Sequence, residues 1–239
     1  VLFYSATRCV LDYFEMNHTA ISHDQGNFTL QAEPTSQPTV FLVDDDAEIR
    51  TTLSRALRKR DFQVRTFASA REFLDTYDTS DAGCLVLDYG MPDMNGLELQ
   101  ANLLAKKISI PIIFITGHGG IPESVQAMKA GAVDFLEKPF RQHVLVDCIS
   151  AAFIADGQSR TKEINKQSTL EKFSKLTNRE KEIANFMIAN PSNTASKEIG
   201  RELDISPRTV DHHRARILEK MDIKSVAELI DFSMTVVDR

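Results

Sequence analysis

From residue 40 onward, short apolar runs alternate with stretches of helical periodicity. Val40–Val43 has the continuous apolar character of a buried strand, and Ile49, Leu53 and Leu57 then recur at helical spacing up to about Arg60. The same reading predicts strands at Phe62–Phe67, Cys84–Leu87, Ile112–Ile115 and Asp134–Leu136. Between and after them it predicts helices at Ala70–Tyr77, Leu97–Leu104, Ser124–Ala130 and Val144–Ile154. Five β–α units in succession predict an α/β domain, a parallel sheet covered by helices on both faces. In such sheets ligands collect beyond the carboxyl ends of the strands.

The pattern then changes. Asp156–Lys175 is polar and charged, with few apolar points, Ile164 and Leu170 among them, so it reads as a linker or an extended helix. Thr177 and Glu180 form a capping box ahead of Ile183, Phe186 and Met187 at core spacing. Pro191–Ser196 interrupts that helix, and Lys197–Leu203 predicts a short second one. Ser206-Pro207, an N-cap followed by a first-turn proline, starts a third helix running to about Met221 with Val210, Ile217 and Met221 buried. Ser225 and Glu228 cap a fourth. The expected organisation is therefore an unassigned, disordered extension over 1–38, an α/β domain over 39–155, a linker over 156–173 and an all-α four-helix unit over 174–239. Over 1–38 the periodicity is weak, and Met16 lies inside it, so a misplaced start site is as good a reading as a functional arm.

Charge and cysteine content narrow the classes. Apolar runs fall well short of the roughly 20 residues a membrane span needs, so no membrane association is expected. Cys9, Cys84 and Cys148 are odd in number and lack metal-ligand spacing, which predicts reduced thiols in a cytoplasm. The net charge of −6 speaks against nucleic acid for the chain as a whole. From Ser174 to Arg239, however, Lys+Arg and Asp+Glu balance at 11 each, and within Ser206–Met221 basic residues lead four to two. Charge alone leaves DNA binding and a solvated helical bundle equally open.

The strand ends carry the chemistry. Asp44-Asp45-Asp46 follow the first strand, Asp88 the third, Thr116 the fourth, and Lys138-Pro139 the fifth. Clustered carboxylates repel and need a cation to stay ionised together; hard oxygen donors with room for water suit Mg²⁺. A carboxylate beside Mg²⁺ and Lys can act as a nucleophile toward phosphorus. Each residue alone has a plainer role: Asp46 as a helix cap, Thr116 or Lys138 as solvated loop groups. The joint pattern favours chemistry.

Val43-Asp44-Asp45-Asp46, Leu87-Asp88-Tyr89-Gly90-Met91-Pro92-Asp93-Met94-Asn95-Gly96, Thr116-Gly117-His118 and Glu137-Lys138-Pro139-Phe140 resemble, in order, the motifs of two-component receiver domains. The resemblance implies a doubly wound five-stranded sheet of order 2-1-3-4-5, with Asp88 accepting phosphate from a sensor histidine kinase. It further implies Mg²⁺ bound by Asp45, Asp88 and the Gly90 carbonyl, with Asp44 acting through water and Lys138 pairing with the phosphoryl group. A cis bond before Pro139 and a switch coupling Thr116 to Phe135 follow from it too. The surface that switch reshapes, around Ser124–Lys129, Asp134–Leu136 and Val144–Ser150, would dimerise on phosphorylation, and masking of the Ser206–Met221 helix by the unphosphorylated receiver stays open beside it. Tyr89-Gly90 replaces the family's usual apolar-then-long pair and shields the phosphoryl group poorly. His118 could contact the hydrolytic water or stand idle.

Leu176-Thr177-Asn178-Arg179-Glu180, Lys197-Glu198-Ile199, Ile205-Ser206-Pro207-Arg208-Thr209-Val210, His213-Arg214 and Ile217-Leu218-Glu219-Lys220-Met221 resemble the LuxR-type helix-turn-helix. This implies that Ser206–Met221 enters the major groove. Arg208, Thr209, Arg216 and Lys197 would contact phosphate or groove, Asp211, His212 and Ala215 would read bases, and His213 would pack. Pro191–Ser196 is about three residues longer than the family loop, and Asp211 stands where many relatives carry Lys. Together the two resemblances imply a cytoplasmic, non-enzymatic response regulator of the NarL/FixJ class, nearest the FixJ branch, with promoter DNA and RNA polymerase as further partners. Two alternatives remain open: a phosphate sink in a relay, and a degenerate receiver that works without phosphorylation.

Overall fold

The computed structural model describes residues 37–117 and 121–237, which divide along the chain into two compact units between Thr161 and Lys162. The expected disorder of the extension concerns residues almost all outside the described ones.

In the first unit, β1 (Thr39–Val43), β2 (Gln63–Phe67), β3 (Gly83–Asp88), β4 (Ile112–Thr116) and β5 (Asp134–Glu137) form one parallel sheet of order β2-β1-β3-β4-β5. Alternation along each strand splits the core between the two faces. Phe41, Val43, Leu85, Leu87 and Phe114 pack on one side with Phe67, Phe73, Leu99 and Leu103. Val40, Leu42, Val86, Ile113 and Ile115 pack on the other with Leu57, Leu145 and Ile149. Burial on both faces explains why these strands read as continuous apolar runs. The helices are α1 (Ala47–Arg58), α2 (Ala70–Thr76), α3 (Gly96–Ala105), α4 (Ile121–Lys129) and α5 (Gln142–Ser174). Asp46 caps α1 by accepting from the backbone of Glu48 (2.8 Å) and Ile49 (3.3 Å).

The stretch read as a linker or an extended helix is helical: α5 begins in the first unit and ends in the second. Polar contacts hold it past Ile154. Buried Asp156 accepts from Gly83 N (2.9 Å) and from Arg160 Nε (2.8 Å), and Arg160 donates to the carbonyls of Thr79 (2.9 Å) and Asp81 (2.5 Å). At Gly83, where φ is +153°, a Cβ would fall 1.9 Å from the Thr39 carbonyl oxygen, so only glycine allows β3 to start against β1.

The second unit holds α6 (Asn178–Ala189), α7 (Ser196–Glu202), α8 (Pro207–Met221) and α9 (Val226–Val237) after the end of α5. Phe173, Leu176, Ile183, Met187, Ile199, Val210, Ile217, Met221 and Leu229 form its core. The capping box of Thr177 with Glu180 is formed, and Ser206 caps α8 with Pro207 in its first turn. No described helix is long and apolar enough to cross a membrane.

Candidate functional site

Sheet register brings the strand ends together. Asp44 follows β1, and Asp88 closes β3 opposite Ile115. Tyr89 N donates to the Ile115 carbonyl (2.9 Å), and Lys138 N donates to the Thr116 carbonyl (2.7 Å). The Lys138–Pro139 bond is cis. Lys138 Nζ then lies 2.9 Å from Asp44 Oδ2 and 2.8 Å from Asp88 Oδ1. The other two carboxylate oxygens are met by backbone: Asp46 N donates to Asp44 Oδ1 (2.9 Å), and Gly90 N to Asp88 Oδ2 (2.7 Å). All four oxygens therefore have a donor, although Asp44 is 1% and Asp88 7% exposed.

Burial pushes the Asp44 carboxyl above its ordinary value, with the Lys138 ammonium and the Asp46 amide pulling part of the way back. Burial by itself would lower Lys138, but its hydrogen bonds to Asp88 and Asp44 outweigh that and hold it above the usual lysine value. The ammonium is thus firmly charged and takes the place of a counter-ion between two carboxylates. Among the described residues no three His, Cys, Asp or Glu side chains are gathered to hold a metal, and Asp45 is exposed. Two carboxylates beside the Gly90 backbone still fit Mg²⁺, which takes few protein ligands and keeps several waters.

Thr116 is buried on β4, and Phe135 is half-buried on β5. The Phe135 ring lies 5.9 Å from Phe114 and meets Tyr89 edge-on at 6.4 Å. Tyr89, noted only as a departure from a pattern, is thereby a neighbour of the expected switch residue. Arg50, not singled out in the sequence, donates to the Asp44 carbonyl (2.7 Å). A Cβ on Gly96 would approach the Asp88 carbonyl and the Phe114 ring to 2.8 Å each, so α3 starts hard against the acidic edge. His118 lies outside the described residues.

In the second unit, Lys197, Arg208, Thr209, Asp211, His212, Ala215 and Arg216 are all exposed, and α8 buries Val210, Ile217 and Met221 on its other side. The Thr209 hydroxyl is 2.7 Å from that of Ser206, inside the cap. Asp211 accepts a hydrogen bond from the Ser196 hydroxyl. Arg214 donates to Ser196 Oγ (3.1 Å) and to the Thr194 carbonyl (2.9 Å). Arg179 on α6 donates to the Leu203 carbonyl (2.7 Å), and a Cβ on Gly200 would reach 2.6 Å from the Ile205 carbonyl, so the α7–α8 turn is tight. His213 is half-buried with an unpartnered Nδ1.

A doubly wound sheet with this acidic edge, followed by a tight helix-turn-helix, defines a receiver joined to a DNA-binding unit. Residues 40–150 match the response regulator receiver domain, and residues 174–233 match bacterial regulatory proteins of the luxR family. The transcriptional regulatory protein TdiR of Thauera aromatica is 41% identical over 196 residues, covering 82% of this chain and 85% of TdiR. The structure of response regulator StyR is similar at a TM-score of 0.71 and 41% identity, covering 82% of this chain and 98% of that one. Full-length FixJ from B. japonicum is similar at 0.51 and 36%, covering 84% and 98%. The chain belongs to the FixJ/NarL class of response regulators, the transcriptional regulators of two-component systems.

Proposed function

We propose that Asp88 is the phosphoryl acceptor and that its phosphorylation controls promoter binding by α8 in a cytoplasmic regulator. The observation that carries the reading is Lys138 Nζ within 2.9 Å of both Asp44 and Asp88 at the carboxyl edge of the sheet. An Asp88 oxygen attacks phosphorus as the bond to the imidazole nitrogen of a sensor histidine kinase breaks, and the departing ring nitrogen takes up a proton. Lys138, released from one carboxylate, pairs with the transferred phosphoryl oxygens. Asp45, Asp88 and the Gly90 carbonyl would hold Mg²⁺, with Asp44 acting through water; the ion supplies charge neutralisation at the phosphoryl oxygens. Thr116 and Phe135 relay the change to the face of α4, β5 and the start of α5. Val125 and Met128 are 44% and 45% exposed on α4, which supports homodimerisation there. Two copies then engage paired half-sites and recruit RNA polymerase. Acetyl phosphate with Mg²⁺ should raise self-association by light scattering and raise affinity for paired but not single half-sites. Unlabelled wild-type protein in that assay refutes the acceptor; labelled protein with unchanged association and DNA affinity refutes the coupling.

A further inference from the structure

We propose that the Ser196 hydroxyl, gripped by Asp211 and Arg214, is the hub of a clamp that fixes the DNA-reading helix α8 on α7. Asp211 is then a positioning residue and not a reader of bases; the inference rests on α8 being the DNA-reading helix. A hydroxyl can donate once and accept as well, and Ser196 does both: it accepts from Arg214 Nη1 (3.1 Å) and donates to Asp211. Cation, hydroxyl and carboxylate thus form a polarised chain between two helices. The same Arg214 nitrogen satisfies the Thr194 carbonyl (2.9 Å), tying down the long loop that precedes α7.

A second observation shows why α7 needs this. Its N-cap is Ala195, which provides no side-chain cap, and the helix is only seven residues long. Its first turn is therefore fixed from outside, by side chains of α8. Asp211 also sits at the edge of the exposed face. At roughly 100° per residue it lies between the buried line of Val210 and Ile217 and the outermost line of Arg208, His212, Ala215 and Arg216. The bond to Ser196 turns its carboxylate toward α7. Discrimination among bases falls to the residues that face outward.

The test uses the full-length chain and DNA duplexes that the wild-type protein enriches from a randomised pool, followed by a scan of each base pair. Ser196→Ala removes one hydroxyl and no outward-facing group. It should lower discrimination at several base pairs together, by about tenfold for a charge-assisted bond worth roughly one decade. Ser196→Thr, which keeps the hydroxyl, should restore it. Asp211→Ala should give the same profile, and the double variant should be no worse than either single one. Amide hydrogen exchange over residues 196–202, read without DNA, should speed up in Ser196→Ala and not in Ser196→Thr. Asp211→Ala relaxing one base pair while Ser196→Ala changes nothing makes Asp211 a reader and overturns the clamp. Unchanged exchange in Ser196→Ala overturns it as well. If the wild-type chain enriches no duplex, the DNA-binding reading fails instead, whatever the exchange shows.

Discussion

Replacing Lys220 with methionine should destabilise the second unit at neutral pH and remove part of its acid sensitivity. Glu180 is 2% exposed and accepts from Lys220 Nζ (2.6 Å) and from Thr177 N (2.7 Å). Burial would raise its carboxyl, but Lys220 and then Thr177 reverse this and bring it from 4.5 down to about 2. At about 1.4 kcal/mol per unit, that difference is worth about 3 kcal/mol of folding stability. Because the folded value lies below the unfolded one, the contribution is complete above pH 4.5 and disappears as pH falls through about 2. The hydrogen bond from Lys220 is the largest single lowering influence, so Lys220→Met should cost about 2 kcal/mol at pH 7, with the carboxylate left buried and short of a partner. The difference between wild type and variant should shrink steadily between pH 5 and 3. Urea unfolding followed by hydrogen exchange in peptides from α6 and α8 isolates this unit from the receiver. Parallel wild-type and variant stability curves across that pH range would refute the assignment.

Gly83→Ala should destabilise the receiver by about 3 kcal/mol or more, since the new methyl meets a strand backbone that cannot move away; a melting temperature within two or three degrees of wild type contradicts this. Asp88→Asn should lose acetyl phosphate labelling, while Lys138→Ala should still be labelled yet show no phosphorylation-dependent gain in promoter occupancy. Acid-stable labelling in the first, or a normal gain in the second, counts against the roles given to them. Arg208→Ala should weaken binding to all duplexes and reduce the salt slope by about 1, whereas His212→Ala should shift base preference by about 1–3 kcal/mol at one position. Equal scaling of all sequences by both changes, with one slope, places α8 wrongly.

The receiver elements were legible because burial on both sheet faces writes itself as apolar runs, and strand ends fall where those runs meet Asp44, Asp88, Thr116 and Lys138. The pocket was legible for a related reason: its residues stand at the ends of elements that periodicity already locates. The length of α5 was not. After Ile154 the apolar spacing lapses, and the helix is continued by Asp156 and Arg160 gripping residues 79–83, far away in sequence. The hydrogen bond from Ser196 to Asp211 was not legible either, because nothing near Asp211 in sequence points to Ser196. The Lys220 partner of Glu180 was equally hidden, since the capping box explains that glutamate on its own.

These hidden contacts share a physical origin. A loop carbonyl withdrawn from water needs a donor, and arginine has several in a rigid fork. Arg160 serves residues 79–81, Arg179 serves Leu203, and Arg214 serves Thr194. In the sequence each looks like a solvated charge or a DNA contact, so counting basic residues overstates what α8 can offer to phosphate. Of its four, Arg214 is held by the loop and Lys220 by Glu180, which leaves Arg208 and Arg216, with Lys197 from α7. About three phosphate contacts give a salt slope of roughly −3 for one copy, a weak electrostatic hold. A reader this lightly charged gains most from being paired, because a second copy held nearby makes its own contact intramolecular and can raise avidity by about 10²–10⁴. Control of pairing by the receiver, as proposed above, would then suffice to control occupancy.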